Sequence, residues 1–250
     1  MRADAFAPLT PEAAASLLDM LAGAEDWRLL LPYVEDEKRG GALTLLALGA
    51  ELANAPARAS EPPLAMIRFQ WWREAVEEAF GDTQVRRHPL ALAIETTLGA
   101  APSMHSRLLS LVDGAEAVID AAPPRTVQEA LTLATPLYGR LGDALTDWLG
   151  ASVTAGAGSA LTLHAVATAK LSTPLQGRGL PRVADLIAQG ETEGLAPQIE
   201  AQRREIRGLP AEVLPAALPF SLANAYAKGR RPGGLEKRAR YLRVMLTGRF

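Results

Sequence analysis

The chain has 250 residues, of which 48% are hydrophobic and 22% are charged, and this balance predicts a folded protein and excludes a disordered one. It contains no cysteine, which excludes disulfides, thiolate metal sites and thiol chemistry. No run of about 18 uninterrupted apolar residues occurs, and the N-terminus does not read as a signal peptide. We therefore expect a cytoplasmic protein without a spanning helix.

The net charge of -2 is unevenly distributed. Residues 226–250 carry eight Lys or Arg and one carboxylate, Glu236, a local charge of +7 that leaves -9 for the rest of the chain. A basic end of this kind can meet anionic lipid or an acidic partner, or it can be the solvated face of a helix. We expect no nucleic-acid partner.

Apolar residues recur at spacings of three and four along most of the chain, and Ala, Leu, Glu and Arg fill the remaining positions. This pattern predicts an all-α fold. Thr10 followed by Pro11 is typical of a helix start, with threonine as the N-cap and proline in the first turn. Further helices are predicted at about 26–34, 38–54, 63–80, 88–99, 103–121, 182–189, 195–208, 211–228 and 234–247.

A long, mostly apolar helix pair is predicted at about 126–150 and 151–173, after the break AAPPRT. Helices with so little charge around their circumference belong in the centre of a bundle. Pro136 should interrupt the first helix, and glycines between Gly156 and Gly158 should weaken the second or permit close packing. No linker or repeat divides the chain, so we expect a single domain over 1–250.

The segment IRFQWWREAVEEAF, residues 67–80, is the most distinctive run in the sequence. On a helix its apolar side chains at spacings of three and four share one face, and its glutamates lie mostly on the other. Periodicity alone therefore predicts a core helix with an acidic outer face. The predicted core residues are Phe69, Trp72, Val76 and Phe80.

The order of features resembles the squalene/phytoene synthase family. The resemblance is carried by GALTLLALGAELANA at 41–55, by SEPPLAMIRFQWWREAVEEAF at 60–80 and by GRGLPRVADL at 177–186. It spans nearly the whole chain and implies an isoprenoid-synthase-like helical bundle. The pieces AEL, SEP and RFQWWREAV further resemble a branch that includes mitochondrial complex I assembly factors and their bacterial relatives.

Active members of that family join two isoprenoid diphosphates, using Mg²⁺ ions held by two D-x-x-x-D pairs on facing helices. By this resemblance the first pair falls at Glu51 and Ala55, so that one carboxylate of two remains. The second pair would fall near HAVATAKLST, yet no acidic residue occurs between Asp147 and Asp185. We therefore expect no Mg²⁺ or other cofactor.

Asp143 and Asp147 match the D-x-x-x-D pattern, but they precede the helix that should carry the second pair, and we expect them to face solvent or a basic neighbour. The three histidines show no spacing typical of a zinc helix and are interpreted as ordinary surface or hydrogen-bonded core residues: His88, His105 and His164.

We assign no residue a catalytic or a metal-binding role. The resemblance instead implies a degenerate site, whose remaining wall would be formed by a small set of side chains. These candidates are Glu51, Arg68, Trp71, Trp72 and Arg73.

The last predicted helix is basic and amphipathic. Its apolar residues Leu235, Leu242, Leu246 and Phe250 follow the helical period, and lysine and arginine surround them. The helix can dock onto the bundle, or it can contact an anionic membrane through residues 230–250. Both interpretations stay open at this point.

Two functions are consistent with these observations. The first is a non-catalytic binding or assembly factor, whose protein partner by resemblance is a respiratory complex I component. In this hypothesis the former cavity holds an apolar ligand, and the protein lies at the periphery of the inner membrane. The second is a prenyltransferase of isoprenoid biosynthesis, in which Glu51 and Glu61 replace the missing aspartates, Arg68 and Arg73 bind diphosphate, and Mg²⁺ is required. The first is the preferred hypothesis because the metal-binding carboxylates are missing.

Overall fold

The computed structural model of the chain describes residues 6, 8–58, 62–119, 121, 122, 124, 126–151, 156–169 and 195–250. Within these ranges the secondary structure is helix and turn, with no strand, as the apolar periodicity predicted. The predicted helix at 182–189 and the segment GRGLPRVADL lie outside the described residues.

The α-helices are numbered here in chain order along the described residues. They are α1 Pro11–Met20, α2 Glu25–Arg28, α3 Asp36–Arg58, α4 Pro62–Phe80, α5 Pro89–Leu98, α6 Pro102–Glu116, α7 Val127–Ala134, α8 Arg140–Leu149, α9 Ala157–Ala169, α10 Leu195–Glu205, α11 Leu214–Ala217, α12 Ala223–Ala227 and α13 Gly234–Thr247. Thr10 caps α1 as predicted, since its side chain accepts a hydrogen bond from the Ala13 amide at 3.2 Å.

Two predicted helices are broken in the structure. The segment predicted at 26–34 forms α2 and then a separate 3₁₀ turn, Leu31–Tyr33. The segment predicted at 211–228 forms α11, a 3₁₀ turn at Leu218–Leu222, and α12. Each 3₁₀ turn holds a proline near its start, and proline removes an amide donor from a continuing helix.

The centre of the molecule is occupied by α3 and α9. All residues from Gly40 to Ala50 are buried, and so are all from Ala157 to Ala167 except Ser159. Helix α9 packs against α7, α8, α10, α11 and α12. The prediction that this apolar segment lies inside the bundle is confirmed.

Pro136 interrupts the helix that precedes α9, as predicted. Residues Thr135–Gly139 form a π turn between α7 and α8, because proline cannot donate the amide hydrogen bond of a regular α-helical turn. Gly114 of α6 lies directly against this turn, and a Cβ atom built on it would be 1.9 Å from the carbonyl oxygen of Pro136. The turn and α6 are thus in backbone contact.

Small residues also bring α8 and α9 together, as the sequence allowed. A Cβ atom on Gly142 would lie 2.7 Å from the Cα atom of Gly158, and one on Gly158 would lie 2.6 Å from the carbonyl oxygen of Gly139. Gly156 precedes α9 with a φ of 115°, so it stands outside the helix that it was expected to weaken.

Helix α13 packs on the bundle through a face that the sequence did not indicate. Its buried residues are Lys237, Tyr241 and Val244. The leucines of the predicted apolar face are exposed instead: Leu235, Leu242 and Leu246 are 82%, 50% and 76% exposed. Phe250, the fourth residue predicted for this face, follows the helix and is half-buried, with its ring 6.1 Å from that of Phe220. Among the described residues no helix combines the length and the apolar character that crossing a bilayer requires.

Candidate functional site

Helix α4 places its large apolar side chains in the core, as its period predicted. Phe69, Trp72 and Val76 are buried, and Phe80 is half-buried against the same hydrophobic cluster. The glutamates of this helix lie outside that face. The neighbouring Trp71 is half-buried and borders the core.

The two tryptophans meet His88 at the start of α5. The rings of Trp71 and Trp72 contact each other edge to face at a centroid distance of 4.8 Å, and each lies 5.3 Å from the imidazole. His88 caps α5 through Nδ1, which accepts from the Leu90 amide at 3.2 Å and so leaves the proton of the neutral ring on Nε2. His88 is therefore a capping residue inside an aromatic cluster.

Arg86 closes this cluster from the outside. Its guanidinium lies 4.6 Å from the centre of the Trp71 ring, and it donates to the Trp71 carbonyl at 3.0 Å. It also pairs with Glu78 at 2.6 Å and with Glu74 at 3.2 Å. Hydrogen bonds from Arg86 lower the pKa of Glu78 to about 2. Two of the glutamates on the acidic face of α4 are thus paired with one arginine of the same chain.

Glu51 of α3, which the family resemblance assigns to the first motif position, is paired within the chain. Both of its oxygens accept from Arg58 Nη1, at 2.7 Å and 2.8 Å, and its side chain is only 15% exposed. Burial lowers the pKa of His88, and the charge of Glu51 opposes that shift. Ala55, which the resemblance assigns to the second motif position, is buried and has no side-chain atom that could bind a metal.

The two candidate arginines of α4 have different surroundings. Arg73 pairs with Asp113 at 2.8 Å and with Glu116, both on α6, and the hydrogen bond to Glu116 is the main reason that the pKa of Arg73 is raised. Arg68 is exposed and makes no hydrogen bond or ion pair within the described part of the chain. Arg73 therefore holds two helices together.

The five candidate residues consequently do not form one site. Trp71 and Trp72 contact His88, Glu51 is paired with Arg58, Arg73 faces α6 and Arg68 is exposed. Next to this cluster lies a shallow, open surface groove of about 570 Å³. The groove is lined by Gln84, Val85, Arg87, Pro89, Leu92 and Glu95.

The Asp143 and Asp147 pair on α8 lies near a basic neighbour, as predicted. Asp147 Oδ2 is 3.5 Å from Arg107 Nε of α6, and Asp143 is exposed beside Gly158. Burial of part of its carboxylate raises the pKa of Asp143, and Arg107 opposes this shift. Across the described ranges, no three His, Asp or Glu side chains lie close enough to bind one metal ion.

The donor set of the described residues therefore does not fit the Mg²⁺–diphosphate chemistry that the family resemblance implies. Glu51 is bound to Arg58 and faces no second carboxylate at residue 55. Asp147 is paired with Arg107. Hard Mg²⁺ needs several oxygen ligands directed at one point, and these residues do not provide them.

A buried polar cluster that the sequence did not indicate surrounds Asp26 of α2. Asp26 Oδ2 accepts from Tyr226 at 2.6 Å and lies 2.9 Å from His164 Nε2, and Oδ1 lies 2.9 Å from Lys237 Nζ. Tyr241 donates to the backbone carbonyl of Asp26 at 3.0 Å. One short helix is thus tied to α9, α12 and α13.

Proton binding in this cluster is strongly shifted. Burial alone would raise the pKa of Asp26, but contacts with His164, Tyr226 and Lys237 outweigh it and lower this pKa to about 2. Burial and the neighbouring Asp26 raise the pKa of Tyr226. Burial lowers the pKa of Lys237, yet Glu25 and Asp26 raise it by more. The cluster is a buried Lys237–Asp26 ion pair, with Tyr226 and His164 on the second carboxylate oxygen.

This arrangement holds helices together and presents no open reaction site. Its one unpartnered ring atom is Nδ1 of His164, which is buried. Of the two interpretations of His164, a surface residue or a hydrogen-bonded core residue, the second is confirmed. The sequence contained one indication of the remaining contacts in this cluster. The spacing of Lys237 and Tyr241 puts both on one face of α13, opposite the leucines.

Comparison with known proteins gives two findings. Residues 22–172 match the family model described as squalene/phytoene synthase. The structure is similar to that of the squalene synthase HpnC from Alicyclobacillus acidocaldarius, with a TM-score of 0.59, 15% sequence identity and 95% of each chain covered. At this identity the likeness shows a shared all-helical fold, which confirms the predicted fold class. A search of curated proteins gives no significant match.

Proposed function

Because the chain belongs to the squalene/phytoene synthase family, we propose that it is a non-catalytic member that binds a protein partner. The observation that carries this proposal is the state of the first motif: Glu51 is bound by Arg58, and Ala55 stands where the second carboxylate would be. The acid-free stretch between Asp147 and Asp185 supports it.

The energetic argument concerns the leaving group. A departing diphosphate carries several negative charges, and electrostatic stabilisation of those charges is the largest single contribution a prenyl-transfer site must make. Arginine can bind diphosphate through paired donors. Of the two candidates, however, Arg73 is committed to Asp113 and Glu116, which leaves Arg68 alone.

We propose as partner a subunit or precursor of respiratory complex I. This part rests on the resemblance of AEL and RFQWWREAV to the branch that contains complex I assembly factors. A protein with that task would work in the cytoplasm and at the inner membrane surface, as a peripheral protein. The residues around His88, with Trp71 and the adjoining groove, are the proposed recognition surface.

The enzymatic side of the proposal is tested by turnover. The purified chain is incubated with farnesyl or geranylgeranyl diphosphate and Mg²⁺, and the products are extracted, with the squalene synthase HpnC as a positive control. We expect no product above the buffer background. Formation of a coupled isoprenoid product overturns the non-catalytic assignment.

The binding side is tested by complementation. Cells that lack the chain are supplied with the wild type, with Glu51→Gln or with Trp71→Ser, and assembled complex I is measured in their membranes. We expect Glu51→Gln to restore assembly, since no metal has to be held, and Trp71→Ser to restore less. Normal complex I in cells without the chain contradicts the proposed partner.

One observation favours the enzymatic alternative, a prenyltransferase that uses prenyl diphosphates. The fold likeness to a squalene synthase covers 95% of both chains, so the two proteins share the same kind of helical bundle. In that case Mg²⁺ is required, and Glu51→Gln abolishes turnover. The two functions therefore differ in the outcome of the turnover assay.

A further inference from the structure

Helix α13 carries a narrow row of exposed leucines, here called the leucine ridge: Leu235, Leu242 and Leu246. At about 100° per residue, these three side chains fall within roughly 40° of one another around the helix. At about 1.5 Å per residue, the row is roughly 16 Å long. Large apolar side chains with this degree of exposure are costly in water unless another surface covers them.

Arginines border the leucine ridge on both sides. Arg238 lies about 40° to one side of Leu242 and Arg243 about 100° to the other. Both are exposed, and within the described residues neither pairs with a carboxylate. The one carboxylate of residues 226–250, Glu236, is bound by Arg230 and Arg240. The surroundings of the ridge are thus positive.

The exposure of the ridge is enforced from the opposite face of α13. Lys237 is paired with Asp26 and Glu25, and Tyr241 donates to the backbone of Asp26. A rotation of α13 that buried the leucines would withdraw Lys237 and leave Asp26 as a buried, unneutralised charge. The buried cluster therefore fixes which face of the helix meets the surroundings.

We propose that the leucine ridge enters the surface layer of an anionic membrane, with α13 lying in the membrane plane and its arginines on lipid phosphates. The ridge is narrower than the apolar stripe of about 100° by which a helix packs on protein, but it suits shallow insertion between headgroups. The flanking arginines match an anionic surface on both sides. This inference rests on the peripheral location proposed above and supplies its surface and its lipid class.

The test is co-sedimentation of the full chain with vesicles. Wild type is compared on vesicles of phosphatidylcholine alone and of phosphatidylcholine with phosphatidylglycerol. The ridge variant is Leu235→Ser/Leu242→Ser/Leu246→Ser. A matched control is Leu64→Ser/Met66→Ser/Ile67→Ser, which removes three other exposed apolar side chains. Thermal melts establish that each variant is folded.

We expect wild type and the matched control to bind the anionic vesicles only, and the ridge variant to bind roughly tenfold or more weakly. Arg238→Gln/Arg243→Gln should weaken binding similarly and should reduce its dependence on salt. Unchanged binding by the ridge variant overturns the inference, and so does equal loss in the matched control.

Two further outcomes separate this inference from the proposed function. If wild type binds no vesicles, the ridge and the peripheral location both fail, while the turnover and complementation results stand. If wild type is a dimer in solution and the ridge variant is a monomer, the ridge is a contact between two copies of the chain and the lipid assignment is wrong. Sedimentation velocity gives that answer on the same samples.

Discussion

Lys237 Nζ of the last helix lies 2.9 Å from Asp26 Oδ1 of the second helix, and both side chains are buried. Removing two charges from water is costly, and the pair is acceptable because Tyr226 and His164 satisfy the other carboxylate oxygen. The second and the last helix are therefore joined by a buried ion pair, and removing either charge should destabilise the fold.

Lys237→Met should destabilise the fold strongly, because it leaves the buried Asp26 carboxylate without its cation. Breaking a buried pair in this way costs about 3 kcal/mol or more. Chemical denaturation with urea measures the free energy of unfolding. Lys228→Met is the matched control, since Lys228 is exposed, and it should change stability by less than about 0.5 kcal/mol. Equal stability of the two variants would show that the pair contributes nothing.

Asp26 should also set part of the acid sensitivity of the protein. Its pKa is about 2 in the folded chain and 3.8 as a free side chain, so the folded state binds the proton less well. The stabilisation is complete above about pH 4 and is lost as the pH falls through 2; the shift corresponds to roughly 2 kcal/mol. Urea midpoints of wild type and Asp26→Asn, measured from about pH 5 downward, should fall more steeply for wild type. Parallel curves contradict the assignment.

Much of the fold could be predicted from local pattern. The predicted core face of α4 is confirmed, because Phe69, Trp72 and Val76 repeat at the helical period. The predicted central position of α9 is confirmed too, and it followed from the near absence of charged residues in this helix. The break at Pro136 followed from the chemistry of proline alone. These features depend on neighbours within one or two turns.

The buried cluster could not be predicted, since it joins residues from four helices that are distant in sequence. The leucines of α13 have the stronger apolar period, and that period favoured Leu235, Leu242 and Leu246 as the docking face. The opposite face is buried instead, because Lys237 pairs with the Asp26 carboxylate and Tyr241 donates to the Asp26 carbonyl. Likewise, the pairing of Arg73 with α6 depends on a crossing of helices that α4 does not encode by itself.

Arg68 and Arg73 should respond differently to substitution. Arg73→Gln removes the contacts with Asp113 and Glu116, which are partly exposed, and should lower the free energy of unfolding by about 1 kcal/mol. Arg68→Gln should leave stability unchanged, because Arg68 is exposed. Differential scanning calorimetry on both variants distinguishes a structural arginine from a free one. Equal melting temperatures would show that the α4–α6 pairing does not stabilise the bundle.

The contact between Gly114 and Pro136 gives a test of the π turn itself. Alanine is normally favoured over glycine in a helix by about 1 kcal/mol. At Gly114, however, the new Cβ atom would lie 1.9 Å from the carbonyl oxygen of Pro136, and backbone of a fixed turn cannot rotate away as a side chain can. Overpacking of this kind costs about 3 kcal/mol, so the clash should exceed the gain in helix propensity.

Gly114→Ala should therefore lower the stability by roughly 2 kcal/mol, measured by urea denaturation. Gly23→Ala is the matched control, because a Cβ atom there meets no heavy atom within 4 Å, and it should be neutral or slightly stabilising. If Gly114→Ala is instead the more stable variant, α6 and the π turn are farther apart than the structure has them. In that case the close approach of Pro136 does not require glycine at position 114 of α6.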